Sequence, residues 1–282
     1  MPMPLIATDL DGTLLTTGSQ APHPDAIAAV HQAIAAGIPV VFATGRAPVD
    51  VLPIAEMVGH RWFAVCNDGA AIVDLRTESV IKTHPMPQVA KSAVVQRLKL
   101  KHPDVKFLID RVRVGAIPNN RAGLVVEEGF EAPWAWALDG AEFVTNIEDA
   151  LSDPDVVKIA AYVDADGENP AVFYEIKQST SDIATAVRIH SEKTFVDFSH
   201  IGISKATGVQ ELAQMHGIAD ADVFAVGDLH NDIEMLGWAG FSFAVANAHP
   251  AVHEVADLIV PSNDEGGVAV VIAAAMAHLR LP

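Results

Sequence analysis

The stretch LIATDLDGT, residues 5–13, is a short apolar run that breaks into a polar turn. Leu5 to Thr8 is too short for a helix, and Asp11-Gly12 is good turn chemistry, so the run reads as a buried strand. Downstream, apolar residues fall at helical spacing from Pro24 to Ala36 until Gly37 stops them, and Pro39 to Ala43 is again short and β-branched. That is a βαβ unit. A second helix reads from Pro48 to Val58, and a buried strand from Trp62 to Cys66, closed by Asn67-Asp68-Gly69. The C-terminal part repeats the scheme: a helix from Ser204 to His216 ended by Gly217, a strand Val223 to Val226, a helix from Asp232, a strand Phe241 to Val245, and a last helix after Gly266-Gly267. Such alternation predicts a parallel sheet with helices on both faces.

The middle follows another pattern. VKFLID, RVRVGAI, VVKIAAYV and ATAVRIH read as amphipathic strands, with helices at Pro87 to Lys101 and Asn169 to Gln178. These fit an antiparallel sheet with one helix-covered face. The expected fold is therefore an α/β, Rossmann-like core, residues 1–83 and 197–282, interrupted by an α+β insertion, residues 84–196.

Composition narrows the function. The 282 residues carry 18 Lys and Arg against 36 Asp and Glu, a net charge of −18, opposite to what a nucleic acid or an anionic lipid surface requires. Half of the residues are hydrophobic, enough for a substantial core. The lone Cys66, on a buried strand, reads as an inert core thiol, and no apolar run is long enough to span a bilayer. With no leader-like start, a cytoplasmic setting is expected. Neither a Walker A pattern nor G-x-G-x-x-G occurs.

The informative polar clusters each follow a core strand, where open α/β sheets place their ligand crevices. They are Asp9-Leu10-Asp11-Gly12-Thr13, Thr44-Gly45-Arg46, and Gly227-Asp228-Leu229-His230-Asn231-Asp232. Asp9, Asp11, Asp228 and Asp232 cannot all ionise at close range without a cation, and an oxygen-only set suits Mg²⁺ completed by a substrate phosphate. Thr44 offers a hydroxyl and, with Gly45, backbone N–H groups for an anion, and Lys205 adds an ammonium near a helix N-terminus. Cation, ammonium and amides around one carboxylate describe phosphoryl transfer to that carboxylate. His230 reads as a loop residue, and His253-Glu254 lacks the second His of a zinc-protease helix.

In order and spacing, DLDGT, FATGR, the Lys of GISKATG, and GDLHND resemble the four motifs of the haloacid dehalogenase (HAD) superfamily. The insertion resembles the C2B cap of its Cof-type phosphatases, and FAVANAHPAVHEVAD and NDEGGVAVVI resemble that subfamily's C-terminal pattern. The resemblance implies that Asp9 is the nucleophile and a Mg²⁺ ligand, and that Asp11 is the acid/base and binds the metal through its carbonyl. It implies that Asp228 is a further ligand and that Asp232 orients a metal-bound water. Leu10 (by its backbone), Thr44, Gly45, Lys205 and Asn231 would hold the phosphate, and Arg46 would either face the substrate or pair with a core carboxylate. An Asp at position 11 favours hydrolysis, since dehalogenases lack an acid/base there. The chain departs from the family pattern at Lys205-Ala206, usually Lys-Gly, and at Asn67-Asp68-Gly69-Ala70, usually Asn-Gly-Ala.

The expectation is a Mg²⁺-dependent phosphatase for a small phosphorylated metabolite, a sugar phosphate or phosphorylated cofactor, acting as a monomer or homodimer without nucleic acid or membrane. The alternatives are a phosphotransferase or phosphomutase of the same superfamily, and a non-catalytic phosphate-binding module. Substrate choice is expected in the insertion, where Trp134 and Trp136 and the basic run from Lys91 to Arg113 stand out.

Overall fold

In the computed structural model, strand β1 (Leu5–Thr8) is buried at every position. Residues 3–130, 138, 140–163, 170–188 and 194–279 are described; Trp134 and Trp136 fall outside them. After β1 come helix α1 (Pro24–Ala35), strand β2 (Val40–Ala43), helix α2 (Pro48–Met57) and strands β3 (Phe63–Cys66) and β4 (Ala71–Asp74). Helix α1 starts where the sequence says it should: Pro24 occupies the first turn, and the His23 ring accepts from the Asp25 N–H at 3.2 Å. Ala26, Ala29, Val30 and Ala33 bury its apolar stripe.

The chain then builds a second compact unit, Val80–Ile203, before returning to complete the first, Met1–Ser79 with Ser204–Pro282. The insertion contains β5 (Ser79–Thr83, starting one residue earlier), α3 (Gln88–Lys101), β6 (Lys106–Arg111), β7 (Gly115–Ala116), β8 (Leu124–Glu127), β9 (Glu142–Val144), β10 (Val156–Val163), α4 (Pro170–Thr180), β11 (Ala184–Arg188) and β12 (Thr194–His200). The chain returns to the first unit beyond the expected break at 196, because β12 runs unbroken through that position. The first unit continues with α5 (Lys205–Met215), β13 (Val223–Gly227), α6 (Ile233–Trp238), β14 (Phe241–Val245), α7 (Pro250–His253), β15 (Leu258–Val260) and α8 (Gly267–His278).

Within the first unit the strands lie in the order β15-β14-β13-β1-β2-β3-β4. All neighbours are parallel except β3 and β4, which the tight turn Asn67–Gly69 joins as an antiparallel pair. In the second unit the order is β11-β12-β10-β6-β8-β9, with only β8 and β9 parallel. Val94, Val95 and Leu98 of α3 and Phe173 and Ile176 of α4 pack with Phe107, Ile109, Ile159 and Phe198 as one core. The opposite sheet face carries Lys158, whose ammonium lies 2.8 Å from Asp197 and 3.8 Å from Asp110.

Two expectations change. RVRVGAI is not one strand: β6 ends at Arg111, and of the rest only Gly115–Ala116 forms a strand, outside the six-stranded sheet. The Val112 N–H donates to Asp155 O at 2.9 Å, and Arg113 pairs with Asp155, so the intervening residues are drawn to the loop before β10. The basic run is also a paired face. Arg97 meets Asp182, Lys99 meets Glu127 and Glu148, Lys101 meets Glu175, Arg111 meets Glu142, and buried Lys91 donates to Asp153 O.

His60 shows what core burial does to a titratable ring. It is 2% exposed, packs 4.5 Å from the Phe42 ring, and lies 3.3 Å from Phe63 O. Burial pushes its pKa down to about 4 from 6.5. Folding therefore keeps the ring neutral, and the stability present above pH 6.5 falls as the pH drops toward 4. Between pH 7 and 4 the wild type is expected to lose about 3 kcal/mol more than His60→Gln in urea unfolding, and equal losses would show that the ring titrates freely.

Candidate active site

The site forms where β1 and β13 end side by side. The Asp9 N–H donates to Val226 O at 3.0 Å, which locks the two strand ends together. Beyond Asp9 the chain makes a wide turn, with the Leu15 N–H donating to Leu10 O at 2.9 Å. Gly12 sits in it at φ +78°, and a Cβ there would lie 2.3 Å from Asp228 Oδ2, so no other residue fits. Thr13 donates its hydroxyl to Asp228 Oδ1 at 3.1 Å. Asp232 closes the turn after β13, its Oδ2 accepting from the Asp228 and Leu229 N–H groups at 3.0 and 3.1 Å.

Lys205 enters from α5. The Ser204 hydroxyl accepts from the Thr207 N–H and the Thr207 hydroxyl accepts from the Ser204 N–H, a capping box that fixes the helix start one residue before the lysine. Gly69 lets the β3–β4 turn approach that start: at φ +103°, a Cβ on it would stand 2.0 Å from Ser204 O. The departure at Ala206 is absorbed, since its methyl is fully buried. The Lys205 ammonium donates to Asp9 Oδ1 at 2.6 Å and Asp232 Oδ1 at 2.7 Å, with all three side chains nearly inaccessible.

Burial alone would lower the Lys205 pKa, yet the charges of Asp232, Asp9 and Asp68 overcome it and hold the ammonium well above the ordinary lysine range. Burial raises Asp9 to about 7, with Asp232 and Asp11 adding and Lys205 opposing. Asp228 is likewise raised by burial and by Asp9 and Asp232. Carboxyls in this state are short of positive charge. Asp9, Asp228 and Asp232 each present an oxygen within 4.8 Å of the others, with no nitrogen or sulfur donor in the set. That donor chemistry fits a hard divalent cation. Because both Asp232 oxygens accept hydrogen bonds from protein groups, Asp9 and Asp228 are the better placed direct ligands.

Asp11 is more open than Asp9, and Arg46 grips both its oxygens, Nε donating to Oδ2 at 2.7 Å and the second contact falling on Oδ1. Arg46 thus pairs with a carboxylate of the site, and also donates to Gln20. Thr44 is buried. Its N–H donates to Val65 O within the sheet, so of the anion donors expected there the hydroxyl remains, and that oxygen accepts from the Arg46 N–H. Leu10 is fully buried, its carbonyl closing the turn. Asn231 stands after β13 and donates Nδ2–H to Asp68 Oδ1 at 2.9 Å.

Asp68 is the site residue that the motifs did not supply. In the sequence it sits in a turn triplet. Its one signal there is the departure from Asn-Gly-Ala, which places an acid beside a glycine that α5 needs.

A family model described as haloacid dehalogenase-like hydrolase matches residues 6–272. Over 280 residues the chain is 28% identical to a 5-amino-6-(5-phospho-D-ribitylamino)uracil phosphatase of Escherichia coli, covering 99% of this chain and 98% of that one. It is 26% identical over 271 residues to a pyridoxal phosphate phosphatase of the same organism, covering 94% and 96%. A HAD subclass IIB sugar phosphatase of known structure superposes with a TM-score of 0.75 at 21% identity, covering 98% and 99%, which speaks for the fold. The chain spans only 45% of another relative, the chloroplastic endoribonuclease YBEY of Arabidopsis thaliana, at 26% identity over 279 residues and 94% of this chain.

Removing the buried cation tests this geometry. Lys205→Met leaves Asp9 and Asp232 facing each other without compensation, and is expected to cost about 3 to 5 kcal/mol in urea unfolding with EDTA present. An unchanged midpoint would show that the ammonium does not hold the two strand ends.

Proposed function

The chain belongs to the haloacid dehalogenase-like hydrolase family and is a phosphoric monoester hydrolase, and on that premise we propose that it is a Mg²⁺-dependent phosphatase working through an aspartyl-phosphate on Asp9. The observation that carries this reading is the Asp9 carboxylate, clamped by Lys205 with one oxygen directed to a cluster that fits a divalent cation.

In the first step an Asp9 oxygen attacks phosphorus, the ester P–O bond breaks, and the departing oxygen takes a proton from Asp11. In the second, Asp11 removes a proton from water as it attacks the acyl phosphate, which releases inorganic phosphate and restores both carboxyls. A bound Mg²⁺ would supply positive charge against the phosphoryl oxygens, held by Asp9, Asp228 and the Asp11 carbonyl. Asp232 fixes the turn that carries Asp228, and Thr44, Gly45, Lys205, Asn231 and the Leu10 backbone orient the phosphate. The Arg46 fork holds the Asp11 carboxyl in place through both of its oxygens. The first step uses Asp11 as the proton donor and the second uses it as the acceptor, so the group ends each turnover as it began.

For substrate we infer a small phosphorylated metabolite, a phosphorylated cofactor or precursor or a sugar phosphate. The two Escherichia coli phosphatases and the sugar phosphatase named above act on such compounds. Among the described residues, no helix is long and apolar enough to cross a membrane.

Asp9→Asn is expected to lower turnover of an aryl phosphate at least about a thousandfold with the circular dichroism spectrum unchanged. Retained turnover would remove Asp9 as nucleophile. Asp11→Asn is expected to cost roughly 10² to 10⁴. EDTA should silence the wild type and Mg²⁺ restore it, and indifference to both would overturn the metal assignment.

A further inference from the structure

Asp68 lies beside the phosphate-orienting groups but outside the four motifs. It sits at φ +53° and ψ 38°, fixed by its N–H donating to Thr44 O at 3.0 Å, and is 2% exposed. From there its carboxylate meets three neighbours. Oδ1 accepts from Asn231 Nδ2. Oδ2 would lie 3.1 Å from a Cβ on Gly45, so the carboxylate lines the glycine's open face. Its charge also helps hold the proton of Lys205. Gly45, Asn231 and Lys205 are three of the groups assigned above to phosphate.

A carboxylate there opposes a phosphate dianion in two ways. It occupies one N–H of the Asn231 amide, and it offsets part of the positive charge that Lys205 presents. The backbone that carries it is fixed in a buried turn beside these groups. Its effect falls equally on every phosphate species in the pocket, including inorganic phosphate, whose departure ends each turnover.

We propose that Asp68 is a positioning residue that orients Asn231 and limits how tightly the pocket retains inorganic phosphate, thereby speeding product release. This rests on the phosphatase reading of the same site. Asp68→Asn is the informative variant: asparagine tolerates the left-handed backbone and its carbonyl oxygen can still accept from Asn231, while the charge goes and an NH2 replaces the second oxygen. Isothermal titration with inorganic phosphate, Mg²⁺ present, is expected to show about tenfold tighter binding than the wild type. Steady-state kinetics should show kcat and KM falling together, with phosphate a stronger product inhibitor. Asp68→Gly, which also suits this backbone, removes the charge and the hold on Asn231 and should tighten phosphate by a smaller factor. Unchanged or weaker phosphate binding in both variants would overturn the proposal, and is what a purely structural turn residue would give. Thr44→Val keeps the two readings apart. If it fails to weaken phosphate binding, the phosphate site itself is misassigned; if it weakens binding while Asp68→Asn does not tighten it, only the role of Asp68 falls.

Discussion

A single ammonium buried between two carboxylates holds this site together. Lys205 and Asp9 lie 196 residues apart in the chain, yet their charged atoms approach to 2.6 Å in a setting from which water is excluded. Burying such charges is costly unless each finds its partner with good geometry, so the pairing is satisfied in one arrangement only. That arrangement requires β1 to run beside β13 and α5 to begin at Ser204. The whole of the second unit, Val80–Ile203, intervenes between these pieces. The first unit is thus closed by electrostatics as well as by its sheet, and on the proposed reading the group that closes it would also orient phosphate.

Glycines make the approach possible where the backbone has no room to spare. Gly12 and Gly227 each stand where a Cβ would strike a carboxylate, of Asp228 and Asp232 respectively, and Gly69 stands against the Ser204 carbonyl. Their role is steric: they let acidic side chains and a helix start come closer than any side chain would permit. Asp232 then uses both oxygens, one on Lys205 and one on two amides, so it stiffens the turn that presents Asp228.

Much of this was legible from local pattern. Strand ends followed by Asp-x-Asp-Gly-Thr, by Thr-Gly-Arg, and by Gly-Asp with Asn-Asp three and four residues on put these groups at one sheet edge, because in a parallel sheet the side of a strand's end is set by its direction. What pattern could not give were partners fixed by long-range packing. Thr44 looked like an amide donor until the β2–β3 ladder claimed its N–H. Arg111 to Val114 alternate like a strand, yet ion pairs with Asp153 and Asp155 decide their course. Asn67-Asp68-Gly69 reads as a turn whose one sequence signal is its departure from Asn-Gly-Ala; its place in the site follows only once Gly69 is seen against α5.

The charge balance gains a different meaning from the structure. The segment 84–196 holds 12 of the 18 basic residues, but its run from Lys91 to Arg113 is largely paired with acids of the same unit. It is a poor source of attraction for an anion. At the site itself Asp9, Asp11, Asp68, Asp228 and Asp232 stand against Lys205 and Arg46, a formal −5 + 2 = −3, and a divalent cation would bring this only to −1. On this formal count net attraction is weak, and it does not by itself select a phosphate dianion. On the proposed reading, selection would come from direction: donors, and a cation when bound, aimed at phosphoryl oxygens, with the carboxylates turned to hold those donors. A pocket of that design grips phosphate only while its donors stay aligned and releases it when they do not, which is the behaviour that a hydrolase with an anionic product requires.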